Sequence, residues 1–202
     1  MSSLADCEKK LLLQIARHAC NSAVQRGDPP PDFSASATLR QPGGAFVTLR
    51  RGSRLRGCIG QLPAREPLNE VVARCARSAA LEDPRFSPVG PEEMAEIDIE
   101  ISVLSLLEEI TPEKIEAGKH GLVVSRGWQR GVLLPQVAAQ FGWTASRFLE
   151  ETCMKAGFDS AIWNDPETRI QAFTAEVFSE SELNNARINT HGSQKLPYST
   201  ST

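Results

Sequence analysis

No stretch of this 202-residue sequence approaches the ~20 consecutive apolar residues that a membrane-spanning helix requires, so no membrane segment is expected. Met1 to Lys10 holds no basic region followed by an apolar run, so no secretory signal is expected either. Five cysteines (Cys7, Cys20, Cys58, Cys75 and Cys153) are widely spaced and odd in number. Without an export signal they read as reduced thiols of a cytoplasmic protein. No C-x-x-C, H-x-x-x-H or H-E-x-x-H occurs, so no metal site is expected. Cys7 and His18 share one helix face but stand about 16 Å apart at the helical rise, too far to share an ion. A nucleophile elbow, a P-loop and a dinucleotide glycine fingerprint are also missing, and no cofactor is implied. With 22 basic and 25 acidic residues the net charge is −3, which argues against a chain devoted to coating nucleic acid.

What is present is periodic. Leu4, Cys7, Leu11, Ile15 and Ala19 recur at helical spacing, with Ser3 as a cap and Gly27 and the Asp28–Asp32 proline run as the stop. Ala45–Arg51 and Arg54–Gly60 read as a hairpin turning at Gly52-Ser53. Pro67 opens a helix carrying Leu68, Val71, Val72, Cys75 and Ala79, closed by Asp83-Pro84. Ile97, Ile99, Ile101 and Val103 alternate with polar residues as a half-buried strand. The order then returns: strand Gly121–Ser125, turn Gly127–Arg130, strand Gly131–Leu134, a helix from Pro135, a second from Thr144 to Gly157, and a last strand Ile170–Phe178. This is an α+β chain of two diverged strand–helix repeats, each hairpin, helix, strand. Residues 179–202, rich in Ser, Asn and Thr, read as a disordered tail after a domain spanning 1–178.

Charge is segregated. Ser34 to Arg65 holds six arginines and no acid, whereas Glu82 to Glu116 holds eleven acids against Arg85 and Lys114. Two solvated surfaces explain this as well as an anion site on the arginine-rich hairpin does. Within Leu55-Arg56-Gly57-Cys58-Ile59-Gly60, strand parity places Leu55, Gly57 and Ile59 on one face and Arg54, Arg56 and Cys58 on the other. If Leu55 and Ile59 face the core, Cys58 stands beside guanidinium groups that favour its thiolate. The alternative is a small cysteine packed in the sheet. Gly57 and Gly60 mark a bulge or a close approach of backbone or ligand. Arg85, in Asp83-Pro84-Arg85-Phe86, either pairs locally or joins Arg56 at the anion. His120, in a glycine-flanked turn, is either a proton carrier or a loop residue. Gln136 and the amides beside it open the helix after Leu134-Pro135.

Taken in order, these segments resemble the AMMECR domain, named for a human chromosomal region linked to Alport syndrome, midface hypoplasia and elliptocytosis. The resemblance rests on Phe46-Val47-Thr48-Leu49, Leu55–Gly60, Asp83–Pro88, Glu100–Leu104, Gly118–Leu122, Leu133–Ala138 and Cys153–Gly157, and covers roughly Leu11 to Phe178. It implies an α+β fold with a larger and a smaller lobe around a cleft. For the prokaryotic type, the A component of the AmmeMemoRadiSam system, it implies a Memo-type dioxygenase-like protein and a radical S-adenosylmethionine protein as partners. It implies no reaction.

Three functions are therefore carried forward. In the first, the cleft binds a small anionic metabolite or peptide through Arg56, Gly57, Gly60, Arg85 and Gln136. In the second, the chain is an enzyme with Cys58 as nucleophile and His120 moving protons. The third is RNA binding through the arginine hairpin, which the acidic balance and the lack of interleaved aromatics disfavour.

Overall fold

In a computed structural model the described residues are 3–25, 36–62 and 64–183. They form two four-stranded antiparallel sheets, each with its own helices. The first sheet contains β1 (Gly44–Arg51), β2 (Arg54–Gln61), β3 (Ile97–Leu104) and β8 (Ala175–Ser179), in the order β2-β1-β3-β8. Helices α1 (Asp6–Gln25) and α2 (Leu68–Leu81) cover one face of it. Ala45, Val47 and Leu49 of β1 and Ile97, Ile99, Ile101 and Val103 of β3 point into that core, as period-two alternation requires. From α2 the core receives Leu68, Val71, Val72, Cys75, Ala76 and Ala79. From α1 the core receives Leu12, Leu13, Ile15, Ala16 and Cys20, with Leu11 and Ala19 packed at its margin and Leu4 buried just before the helix, so that of the expected stripe Cys7 alone is exposed.

The second sheet contains β4 (Glu108–Glu109), β5 (Gly121–Arg126), β6 (Gln129–Leu133) and β7 (Arg169–Phe173), in the order β4-β7-β5-β6. Helices α3 (Pro135–Phe141) and α4 (Ala145–Lys155) belong to it, and Leu122, Val124, Ala138, Phe148, Leu149 and Cys153 form its core. Thr144 caps α4, its hydroxyl accepting from Arg147 N at 3.3 Å, and Gly142 ends α3 with φ 62°. The two sheet orders superpose when β1 is matched with β5, β2 with β6, β3 with β7 and β8 with β4, so the repeat read from the sequence is a topological one. A matching glycine makes each helix fit. A Cβ on Gly57 of β2 would lie 2.2 Å from Ala79 O of α2, and one on Gly131 of β6 would lie 2.5 Å from Ala156 N at the end of α4. Both follow an arginine, Arg56 and Arg130.

Four expectations need correction. The segment Ile170–Phe178 is two strands in different sheets, broken at Thr174. The chain thus crosses between lobes twice, at Ser105–Leu107 and at Thr174. The crossings are tied together, Ser105 N donating to Thr174 O and Thr174 N to Ser105 Oγ, both at 2.9 Å. Leu104, Val123 and Phe173 form a small core beside them, with Phe46, Leu62 and Val132 packed against it. Second, the turn after β5 is Gly127-Trp128 alone, so β6 begins at Gln129. Third, order does not stop at Phe178. Ser179 is buried, Leu183 packs on the first core, and Glu180 accepts from Arg17 Nε at 2.9 Å and from Ile99 N at 3.1 Å. At the other end Ser3 does not cap α1; its hydroxyl donates to Glu176 Oε1 at 2.7 Å. The expected stop at Gly27 and the tail beyond 183 lie outside the described residues. No helix among the described residues is long and apolar enough to cross a membrane.

Candidate functional site

The segment around Cys58 is built on an edge strand. The ladder between β1 and β2 pairs Leu49 with Gly57 but Arg50 with Leu55, so Arg56 is an inserted residue, a β-bulge. The bulge resets strand parity. Gly57 and Ile59 face α2 as expected, but Leu55 is 38% exposed and does not enter the core. Arg56 is directed outward. Its Nε and Nη2 each donate to Glu93 at 2.9 Å, and Nη1 and Nη2 reach the carbonyls of Ser87 and Pro88 at 2.9 and 3.2 Å. The Arg56 side chain is only 14% exposed, so it ties the 82–95 segment to the hairpin instead of offering a free anion contact. Its pairing holds the Glu93 carboxyl down at about 2, with the Gly90 amide as the second cause.

Cys58 pairs with Thr48 across the ladder, and its backbone amide and carbonyl point to the open edge. Both are taken by one ion pair. Cys58 N donates to Asp83 Oδ2 at 2.8 Å, and Arg85 Nη2 donates to Cys58 O at 3.2 Å. Arg85 in turn grips Asp83, Nε to Oδ1 at 2.9 Å and Nη2 to Oδ2 at 2.7 Å, and the Arg85 amide also donates to Asp83. The Asp83 side chain is 2% exposed and that of Arg85 54%. Arg85 holds the Asp83 carboxyl well below the usual carboxylate range. The short helix stop Asp83-Pro84-Arg85 is therefore a clamp on a sheet edge.

A backbone pair with no mutual hydrogen bonds brings its side chains close, and Thr48 Oγ1 lies 3.4 Å from Cys58 Sγ. Burial pushes the thiol up; the Thr48 hydroxyl and the Arg85 charge pull it down without prevailing, and Asp83 and Glu100 add to the rise. The expected thiolate-favouring surroundings are thus not what the arginines create: one is spent on Glu93, and the charge of the other is offset by Asp83. Gly60 sits under the Phe46 ring, where a Cβ would come within 2.1 Å of it. Gly57 and Gly60 are both explained by packing.

Two further arginines of the hairpin, Arg50 and Arg51, follow the same rule, whereas Arg54 is exposed. Arg50 meets Glu100 at 3.4 Å and Arg51 meets Glu96 at 2.7 Å, so the acidic segment neutralises much of the basic one. Gln136 belongs to the second lobe but reaches the first, its Nε2 donating to Ser102 Oγ on β3 at 3.0 Å while its Oε1 is buried without a partner. Ser102 lies on the same face of β3 as Glu100, the face that also carries Thr48 and Cys58. His120 does not join them. It lines a separate groove of about 780 Å³ with Glu108, Glu113 and Phe173, and its Nδ1 accepts from Glu116 N at 3.1 Å. Among the described residues no group of three or more metal-ligating side chains occurs.

The structure thus brings Cys58 and Arg85 together, sends Arg56 to Glu93, places Gln136 on the adjacent strand and isolates His120. Asp83, Glu93, Thr48 and Ser102 are site residues that the sequence reading did not assign. The opposed charge of residues 34–65 and 82–116 was the signal that could have found the two acids.

Comparison with known proteins supplies the family. The family model described as AMMECR1 matches residues 13–178. A protein of Methanothermobacter thermautotrophicus is 44% identical over 186 residues, covering 86% of this chain and 94% of its own length. One from Thermococcus gammatolerans is 42% identical over 185 residues, covering 85% of this chain and 89% of its own. The crystal structure of an uncharacterised protein from Pyrococcus horikoshii aligns with a TM-score of 0.83 at 38% identity, over 88% of this chain and 93% of that one. On these matches, and on the ordered segments of both repeats, this chain belongs to the AMMECR1 family.

Proposed function

We propose that this AMMECR1-family chain is a binding protein that takes a small anionic metabolite or an anionic peptide beside Cys58, between the two lobes, and acts with Memo-type and radical S-adenosylmethionine proteins. The observation that carries the ligand class is Arg85. Its Nε and Nη2 are fixed by Asp83 and Cys58, its side chain is half exposed, and no described residue accepts from Nη1. A guanidinium held rigidly on one side and open on the other is preorganised for a carboxylate or phosphate. Gln136 and Ser102 add polar groups on the neighbouring strand. The partners follow from the family resemblance.

The thiol-enzyme reading finds less support, because burial raises the Cys58 thiol and the one histidine assigned to it stands in another groove. RNA binding is weakened by the carboxylates that engage Arg50, Arg51 and Arg56. The test is titration of the full chain with inorganic phosphate and with citrate, read by the Arg85 Nε and Cys58 amide resonances. Saturable shifts that vanish in Arg85→Gln are expected. Unmoved resonances at millimolar anion, or shifts that persist in Arg85→Gln, would contradict the assignment.

A further inference from the structure

The two repeats differ at their outer edges. In the first, the loop after α2 folds over β2 and closes the outward amide and carbonyl of Cys58 with Asp83 and Arg85. In the second, the corresponding strand is β6. Its hairpin turn is the two residues Gly127-Trp128, so the flanking pair Arg126 and Gln129 exchanges hydrogen bonds, and alternation along the ladder turns the backbone groups of Arg130 and Val132 outward. The loop after α4 does not fold over them. It packs Ala156 against the face of β6 at Gly131, and no described residue hydrogen-bonds to the outward amides or carbonyls of Arg130 and Val132. An unpaired edge of this kind is a template for another strand.

We propose that the β6 edge is a docking site for an extended acidic segment of a partner protein, which adds to the second sheet as a fifth strand. This surface is distinct from the Cys58 site and does not depend on it. The charge of the edge selects the occupant. Arg126 is already paired, with Asp165 and Glu167 at 3.0 Å. Arg130 is exposed, and its Nη2 is steadied by Leu62 O at 2.9 Å, yet it has no carboxylate partner among the described residues. A carboxylate on the incoming strand completes it. Trp128, wholly exposed at the hairpin tip, offers an aromatic face to an apolar residue at the strand's end. A second copy of the same edge is a poorer occupant, because Arg126 to Leu134 contains two arginines and no acid.

Amide hydrogen exchange on the full-length chain tests this, with acetylated Val-Glu-Val-Glu-Val-Glu amide as probe and its lysine counterpart as control. In the free chain the Arg130 and Val132 amides are expected to exchange roughly 100-fold faster than that of Cys58. The acidic peptide is expected to slow both by about tenfold or more, the lysine peptide to leave them unchanged, and Arg130→Glu to exchange the two preferences. Amides protected like that of Cys58 in the free chain would overturn the proposal, as would acidic peptide binding without their protection. Protection that grows with protein concentration alone would replace the partner segment by a second copy.

Discussion

The two repeats share a sheet order and a glycine that seats a helix on the edge strand, yet they treat their edges differently. The first invests its charge in closure. Arg56 binds Glu93, and Asp83 and Arg85 clamp Cys58, so the most distinctive segment of the sequence is stitched into its own lobe. In the second, the arginine matched to Arg56 donates to a carbonyl, Leu62 O, with no carboxylate partner among the described residues, and the residue matched to Cys58 is Val132. A duplicated frame can therefore hold a closed, polar edge in one copy and an open one in the other, with a handful of charged side chains making the difference.

The sharpest way to break the comparison is at what the copies share. Replacing Gly57 or Gly131 by alanine puts a methyl against helix backbone in each lobe, and thermal or urea unfolding is expected to show a loss of about 3 kcal/mol for either. A much smaller loss at one of them would mean that its helix is free to move away. Gly52, with φ 59° but open space around a Cβ, is the control, at about 1 kcal/mol for alanine.

Next in size is the clamp, which the first repeat has and the described residues of the second lack. Asp83→Asn keeps the shape but removes the charge that Arg85 and the Cys58 amide share, for an expected cost of about 2 kcal/mol in urea unfolding. The same pairings set the response to acid. Asp83 and Glu93 both have folded values below their ordinary ones, so each contributes stability above about pH 4 that is lost as pH falls towards the folded values. Stability should decline from about pH 4 down to about pH 2, and Glu93→Gln should flatten that decline. An unchanged acid profile in the Glu93 variant would show that Arg56 is not paired in solution. The smallest effect is expected at the counterpart arginine: Arg130→Ala should stay within about 0.5 kcal/mol and leave the acid profile alone.

How much of this was legible in the sequence depends on whether local or distant groups decide. The first hairpin, α2, β3 and the two helices after β6 were legible because their apolar spacing matches one burial face and their ends carry proline, glycine or Thr144. The split at Thr174 was hidden, since Ala172, Phe173 and Phe178 read as one apolar strand although they serve different cores. The bulge at Arg56 was hidden for a different reason. Parity assumes an unbroken register, and the extra residue is visible only when the partner strand is counted against it. The charge of the arginine hairpin was legible but not its fate, because Glu93 and Glu96 come from a segment some forty residues away. The core positions of Cys75 and Cys153 followed from helix faces alone.

The chemistry of the clamped edge turns on the state of one thiol, and the pH dependence of iodoacetamide alkylation at Cys58, in a Cys7→Ser background that removes the exposed thiol, measures it directly. Because burial outweighs the Thr48 hydroxyl and the Arg85 charge, the midpoint should lie above that of free cysteine, with slow reaction at pH 7. A midpoint near neutrality, with alkylation faster than that of free cysteine, would contradict the clamped binding site and restore Cys58 as a nucleophile.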